Sequence, residues 1–106
     1  MTDRIQALKK ALEKDPTNKL GLFGLANEYF KEGMYKECIE TLEKYLSLHE
    51  DEGSAYRVLA QSYANIGDIE KAIETYEKGI QQALKYNHPT MAQEFQQEIE
   101  QLKMML

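Results

Sequence analysis

Apolar residues recur at helical spacing in six stretches, separated by short polar breaks. Residues 3–14 carry Ile5, Leu8, Ala11 and Leu12 on one face. Asp15-Pro16-Thr17-Asn18 ends that helix, because a proline disfavours α conformation in the residue before it. The next helix runs from about Lys19 to Glu32 with the stripe Leu22, Leu25, Ala26 and Tyr29, and Gly33 supplies the left-handed exit. A third, over about 35–48, buries Cys38, Ile39, Leu42, Tyr45, Leu46 and Leu48, and residues 49–54 form a polar turn. Tyr56, Leu59, Ala60 and Tyr63 make the fourth stripe, ended by Gly67-Asp68. The Asp68 carboxylate can cap the helix that follows, whereas Met34 at the equivalent place cannot, so that helix start is the weaker one. Helix 69–85 buries Ile69, Ala72, Ile73, Tyr76 and Ile80. Asn87-His88-Pro89 breaks it, and Pro89 opens a last helix, about 89–104, with Met91, Phe95, Ile99 and Leu102 on one side. The pattern predicts an all-α chain of about six helices in three antiparallel pairs.

The pattern also repeats. Leu25-Ala26-x-x-Tyr29-x-x-x-Gly33 returns as Leu59-Ala60-x-x-Tyr63-x-x-x-Gly67, a spacing of 34 residues from Gly33 to Gly67. Ile39, Glu40, Thr41, Glu43 and Lys44 return as Ile73, Glu74, Thr75, Glu77 and Lys78. A fixed period of this length is the mark of a solenoid, where each unit buries its apolar face on its neighbours. Ala26, Ala60, Cys38 and Ala72 fall where paired helices approach closest, and Glu40–Lys44 and Glu74–Lys78 are spaced to pair across one turn.

Charge and composition remove several functions. With 18 acidic against 13 basic residues the net charge is −5, and nucleic acid is not an expected partner, because phosphate binding asks for a basic face. No run approaches the roughly 18 apolar residues of a membrane span, and Met1-Thr2-Asp3-Arg4 leads into an amphipathic pattern without a signal-peptide core, so a cytoplasmic location is expected. The single cysteine, Cys38, forms no internal disulfide. His49, His88 and Cys38 lack metal-ligand spacing, and no phosphate loop, G-x-S-x-G or H-E-x-x-H is present. No metal, no cofactor and no catalysis are expected.

Leu22, Leu25, Ala26, Tyr29, Gly33, Cys38, Leu42 and Tyr45, with Tyr56, Leu59, Ala60, Tyr63, Gly67, Ala72, Tyr76 and Gly79, resemble the tetratricopeptide repeat, whose helix–turn–helix period is 34 residues. The resemblance divides a single domain, 1–106, into an N-terminal half repeat (1–18), full repeats at 19–52 and 53–86, and a C-terminal capping helix (87–106). It implies a right-handed α-solenoid. Tyr45 departs from the small residue usual at its position, and Glu50 and Leu84 from the usual closing proline.

The resemblance further implies a concave groove, lined by the first helix of each pair, that binds a peptide segment or partner protein. The groove positions are Phe23, Asn27, Phe30 and Lys31, then Arg57, Gln61, Ala64 and Asn65, with one or more of Met91, Phe95 and Glu98 added by the last helix. Phe23 and Phe30 lie outside the family's core positions and suit binding anchors; the alternative for Phe30 is packing onto a neighbouring helix. Arg57 is either a partner for a ligand carboxylate or phosphate, or paired within the chain. Asn27 and Gln61 can hydrogen-bond an extended backbone. Phe23 and Val58 stand where a chaperone-tail carboxylate clamp has lysine and asparagine, which disfavours that role. The second function is self-association into a homo-oligomer, through Met104-Met105-Leu106 and the apolar edge of the N-terminal half repeat.

Overall fold

Each break marked by proline, glycine or a capping residue ends a helix in the computed structural model, which describes residues 2–106. The helices are α1 (Thr2–Lys14), α2 (Lys19–Lys31), α3 (Tyr35–Leu48), α4 (Ser54–Asn65), α5 (Ile69–Lys85) and α6 (Pro89–Lys103), with no strand among the described residues. The start of the N-terminal half repeat, Met1, lies outside the described residues. Gly33 and Gly67 take φ of 73° and 87° at the exits of α2 and α4, a conformation that costs a residue without Cβ little. The chain forms two compact units, Met1–Glu50 and Asp51–Leu106.

In the first unit α2 packs on both α1 and α3. Ile5, Leu22, Leu25, Ala26, Tyr29, Cys38, Leu42 and Tyr45 are its buried apolar residues. A Cβ at Gly21 would stand 2.9 Å from Leu12 Cδ2, so the missing side chain lets α1 seat closely. Asn18 caps α2, its Oδ1 accepting from the Gly21 amide at 2.7 Å. The α1 stripe is shallower than its spacing suggests: Leu8 and Leu12 are half-buried and Ala11 is exposed. On α3 likewise, Ile39 and Leu46 are half-buried and Leu48 is exposed, because they flank the line of contact that Cys38, Leu42 and Tyr45 occupy.

In the second unit α5 packs on α4 and α6. Phe95 of α6 is fully buried, 5.2 Å from the Tyr76 ring centre. It fills the space at Gly79, where a Cβ would meet Phe95 Cε2 at 2.8 Å and Tyr56 Cβ at 3.0 Å. Tyr45 occupies the slot of the first repeat that Gly79 occupies in the second, which explains its departure from a small residue. The first unit supplies its own ring there, and the second receives one from α6. Ile69 and Ile80 are half-buried rather than buried. Asp51, inside the turn read as polar, is itself buried, and its Oδ2 accepts from the Gly53 and Ala55 amides at 2.9 and 2.8 Å. It satisfies donors that the first turn of α4 leaves open.

The helix starts at 34 and 68 differ as their residues require. Asp68 Oδ1 accepts from the Lys71 amide at 3.2 Å, while Met34 makes no such bond. Glu40–Lys44 and Glu74–Lys78 do not close into ion pairs; all four side chains are exposed, where screening leaves little to gain.

Candidate partner-binding faces of α2 and α4

Helical spacing places Phe23, Asn27, Phe30 and Lys31 on one strip of α2, opposite its buried face. Leu20 extends the strip by a turn and is 81% exposed. Sequence reasoning passed over it, although its position three residues before Phe23, off the core stripe, was the available signal. Phe23 is half-buried with its ring 5.5 Å from that of Tyr45, which lies 5.6 Å from the His49 ring. Phe30 is half-buried and meets the Tyr35 ring edge-on at 5.5 Å. Both rings therefore lean on α3 while keeping one side to solvent. Asn27, between them, is half-buried, and its amide has no hydrogen-bond partner among the described residues. The strip thus offers apolar surface around an amide that can donate and accept.

Lys31, exposed at the end of the strip, lies 3.4 Å from Glu28 Oε2. Glu28 is buried between α2 and α1 and accepts from Arg4 Nε at 3.0 Å. Burial pushes its carboxyl pKa up, but the hydrogen bonds and positive charges of Arg4 and Lys31 outweigh this and hold it below the ordinary value. Glu28 was not singled out from the sequence, because its role depends on where α1 lies.

The corresponding strip of α4 carries Arg57, Gln61, Ala64 and Asn65. Arg57 is engaged within the chain: Nη2 donates to Glu94 Oε1 of α6 at 3.0 Å, and the guanidinium carbon sits 5.0 Å from the Phe95 ring centre. Both side chains of the pair remain partly open, 37% exposed for Arg57 and 49% for Glu94. Gln61 is half-buried with its side-chain amide unpartnered among the described residues. Asn65 is exposed and donates to the Gln61 carbonyl at 2.8 Å.

The last helix corrects the expectation for Phe95. Phe95 is a core residue and cannot line a groove, Met91 is half-buried, and Glu98 is exposed. The cause is register: a strict 34-residue period puts Gln93 in the Leu59 position, whereas α6 buries Phe95 and Ile99, two positions later. Tyr76, beneath this helix, has its hydroxyl pKa pushed up to about 12 by burial and by the Glu98 charge, against the opposing pull of Arg57. Among the described residues no group of three or more His, Cys, Asp or Glu side chains could hold a metal ion, and no helix is long and apolar enough to cross a membrane.

Comparison with known proteins agrees with this architecture. The protein BPP2914 from Bordetella parapertussis superposes with a TM-score of 0.80 at 20% identity, over 93% of this chain and 86% of that one. MamA superposes with a TM-score of 0.70 at 24% identity, over 93% of this chain, which spans 66% of MamA. At such identities the likeness shows the fold. A family model described as anaphase-promoting complex, cyclosome, subunit 3 matches residues 2–79. That match takes in α1 to α4 and most of α5, with both copies of the Leu-Ala-x-x-Tyr-x-x-x-Gly pattern, and the chain belongs to this family of tetratricopeptide-type helical repeats.

Proposed function

We propose that the chain is a protein-interaction module, an adaptor or scaffold, whose α2 and α4 strips bind a peptide segment or partner protein. The carrying observation is the α2 strip, where Phe23 and Phe30 flank the Asn27 amide, which has no partner among the described residues, and Leu20 extends the apolar surface by a turn. Partly exposed aromatics with an adjacent free amide suit an extended segment that buries apolar side chains and hydrogen-bonds through its backbone. On α4, Gln61 stands where Asn27 does, with Arg57 and Asn65 at its sides. Lys31 adds a cation at the end of the α2 strip. The matched family is described as a subunit of a complex, which fits a part that holds protein partners. The reading assigns the chain no catalysis and no cofactor, and places it in the cytoplasm.

The test is site-specific photocrosslinking in source lysate, with a benzophenone side chain at Asn27 or Gln61 and a control at Glu77, exposed on α5. A partner crosslinked from 27 and 61 but not from 77, and lost on Leu20→Ser/Phe23→Ala with helicity intact, supports the reading. Equal crosslinking from 77, or none from 27 and 61, overturns it. A second reading, self-association, rests on the exposure of Met104, Met105 and Leu106. Sedimentation equilibrium tests it: a dimer abolished by deleting 104–106 supports it, and a monomer at high concentration refutes it.

A further inference from the structure

We propose that Glu94 sets the charge preference of the α4 strip: by pairing with Arg57 Nη2 and adding its own negative charge, it makes the segment docking there neutral or basic opposite Arg57, not acidic. This deepens the docking reading of the α4 strip and rests on it.

Arg57 is the cation central to the strip, and taken alone it invites a carboxylate. A guanidinium binds a carboxylate through its edge and an aromatic ring through its face. Here one edge nitrogen is paired and an aromatic ring lies close to the group. The edge nitrogen Nη2 is 3.0 Å from Glu94 Oε1, and the guanidinium stands 5.0 Å from the centre of the Phe95 ring. Phe95 is fully buried and held by Tyr76 and by the space at Gly79, so the ring under Arg57 is fixed. Two partners therefore hold Arg57 in place, and a ligand carboxylate that takes Nη2 must displace Glu94.

An acidic ligand meets two obstacles. It must displace a carboxylate belonging to the same unit, whose effective concentration exceeds that of a dilute ligand. It also approaches Glu94 itself, with the exposed Glu98 one helical turn further along α6. A neutral or basic segment meets neither. It can bond to Gln61, whose amide is unpartnered among the described residues, and leave the Arg57–Glu94 pair intact. Exclusion by a built-in like charge is a recognised route to specificity.

The experiment selects random nine-residue peptides displayed on phage against the full chain, its Glu94→Gln variant and the Glu94→Gln/Arg57→Gln double variant. Circular dichroism verifies the fold of each. Only peptides whose binding falls on Gln61→Ala are counted, which restricts the pool to the α4 strip. The wild-type pool is expected to be depleted in Asp and Glu. Glu94→Gln should raise affinity for acidic peptides about two- to fivefold, the range of an exposed ion pair, and leave neutral peptides unchanged. The second substitution should remove that gain. Selection of Gln61-dependent peptides with the same acidic content on all three proteins overturns the role of Glu94 and leaves the docking face standing. A library that yields no Gln61-dependent peptide on any of them overturns both.

Discussion

Gly79 and Gly24 both lie within helices, yet alanine at the two positions should change stability in opposite directions. Alanine is favoured over glycine inside a helix by about 1 kcal/mol, and that gain applies to both. The surroundings decide the sign. At Gly24 the nearest atom to an added Cβ is Leu8 Cδ2 at 3.5 Å, an ordinary contact, so Gly24→Ala should stabilise by about 0.5–1 kcal/mol. At Gly79 the same methyl would stand 2.8 Å from Phe95 Cε2, 3.0 Å from Phe95 Cδ2 and 3.0 Å from Tyr56 Cβ. None of these can yield easily. Tyr56 Cβ is fixed to the α4 backbone, and the buried Phe95 ring is confined by Tyr76 at 5.2 Å and Arg57 at 5.0 Å. Overpacking of this kind costs about 1–3 kcal/mol, which exceeds the propensity gain over most of its range. Gly79→Ala should therefore destabilise by about 1 kcal/mol net, leaving a gap of about 1.5–2 kcal/mol between the variants. Urea unfolding followed by far-ultraviolet circular dichroism resolves a gap of that size, provided the slope of the transition is unchanged. If Gly79→Ala equals or exceeds the wild type, the close seating of α6 on α5 is not what holds the second unit. If Gly24→Ala is destabilised, the reasoning from the Leu8 contact fails.

The backbone at Met34 (φ −89°, ψ 69°) nearly matches that at Asp68 (φ −89°, ψ 75°), so Met34→Asp should install on α3 the cap that α5 already has. The expected gain is about 1 kcal/mol in thermal or urea unfolding, with Asp68→Ala losing a similar amount; no gain from Met34→Asp would refute the transfer of cap geometry. Glu28 predicts a pH dependence. Its folded pKa lies below the ordinary 4.5, so its contribution is full above pH 4.5 and is lost as pH falls through the lower folded value. Glu28→Gln should flatten the acid limb of a melting-temperature profile while lowering stability at neutral pH, and an unchanged acid limb would show that Arg4 and Lys31 do not hold the carboxylate.

How much of this was legible in the sequence follows from where each contact partner lies along the chain. Helix ends were readable because Pro16, Gly33, Gly67, Asp68 and Pro89 act on their own backbone or that of close neighbours. The buried stripes were readable at their centres, since Leu25 and Leu59 face a neighbouring helix whatever its exact placement. Their margins were not: Ile39, Leu46, Ile69 and Ile80 are half-buried because burial there depends on the width of the partner helix. The candidate faces were readable as strips but not in their pairing. Arg57 meets Glu94 across 37 residues of chain, and Glu28 meets Arg4 across 24. No local pattern specifies either pair. The register of α6 was hidden for the same reason, because Phe95 is placed by the vacancy at Gly79 and not by the period.

Comparison of the two copies separates what packing requires from what it leaves open. Leu25/Leu59, Ala26/Ala60 and Tyr29/Tyr63 are identical and buried, because both units must close the same helix pair. On the outward strip the equivalent positions diverge: Leu20/Ser54, Phe23/Arg57, Asn27/Gln61, Phe30/Ala64 and Lys31/Asn65. Four of these five exchanges alter the chemistry, from apolar to polar, aromatic to cationic, aromatic to methyl, and cationic to amide. Only Asn27/Gln61 keeps its functional group, and those are the two side-chain amides on the strips without a partner among the described residues. Both amides are half-buried with no partner among the described residues, so an amide kept at this position fits the proposed docking role. In the proposed docking mode both amides hydrogen-bond to the backbone of the bound segment, since every segment carries the same peptide groups. The varied neighbours then discriminate by side chain: apolar surface around Asn27, and an internally neutralised cation beside Gln61. The proposal thereby puts affinity common to both units and selectivity particular to each on different residues within each strip.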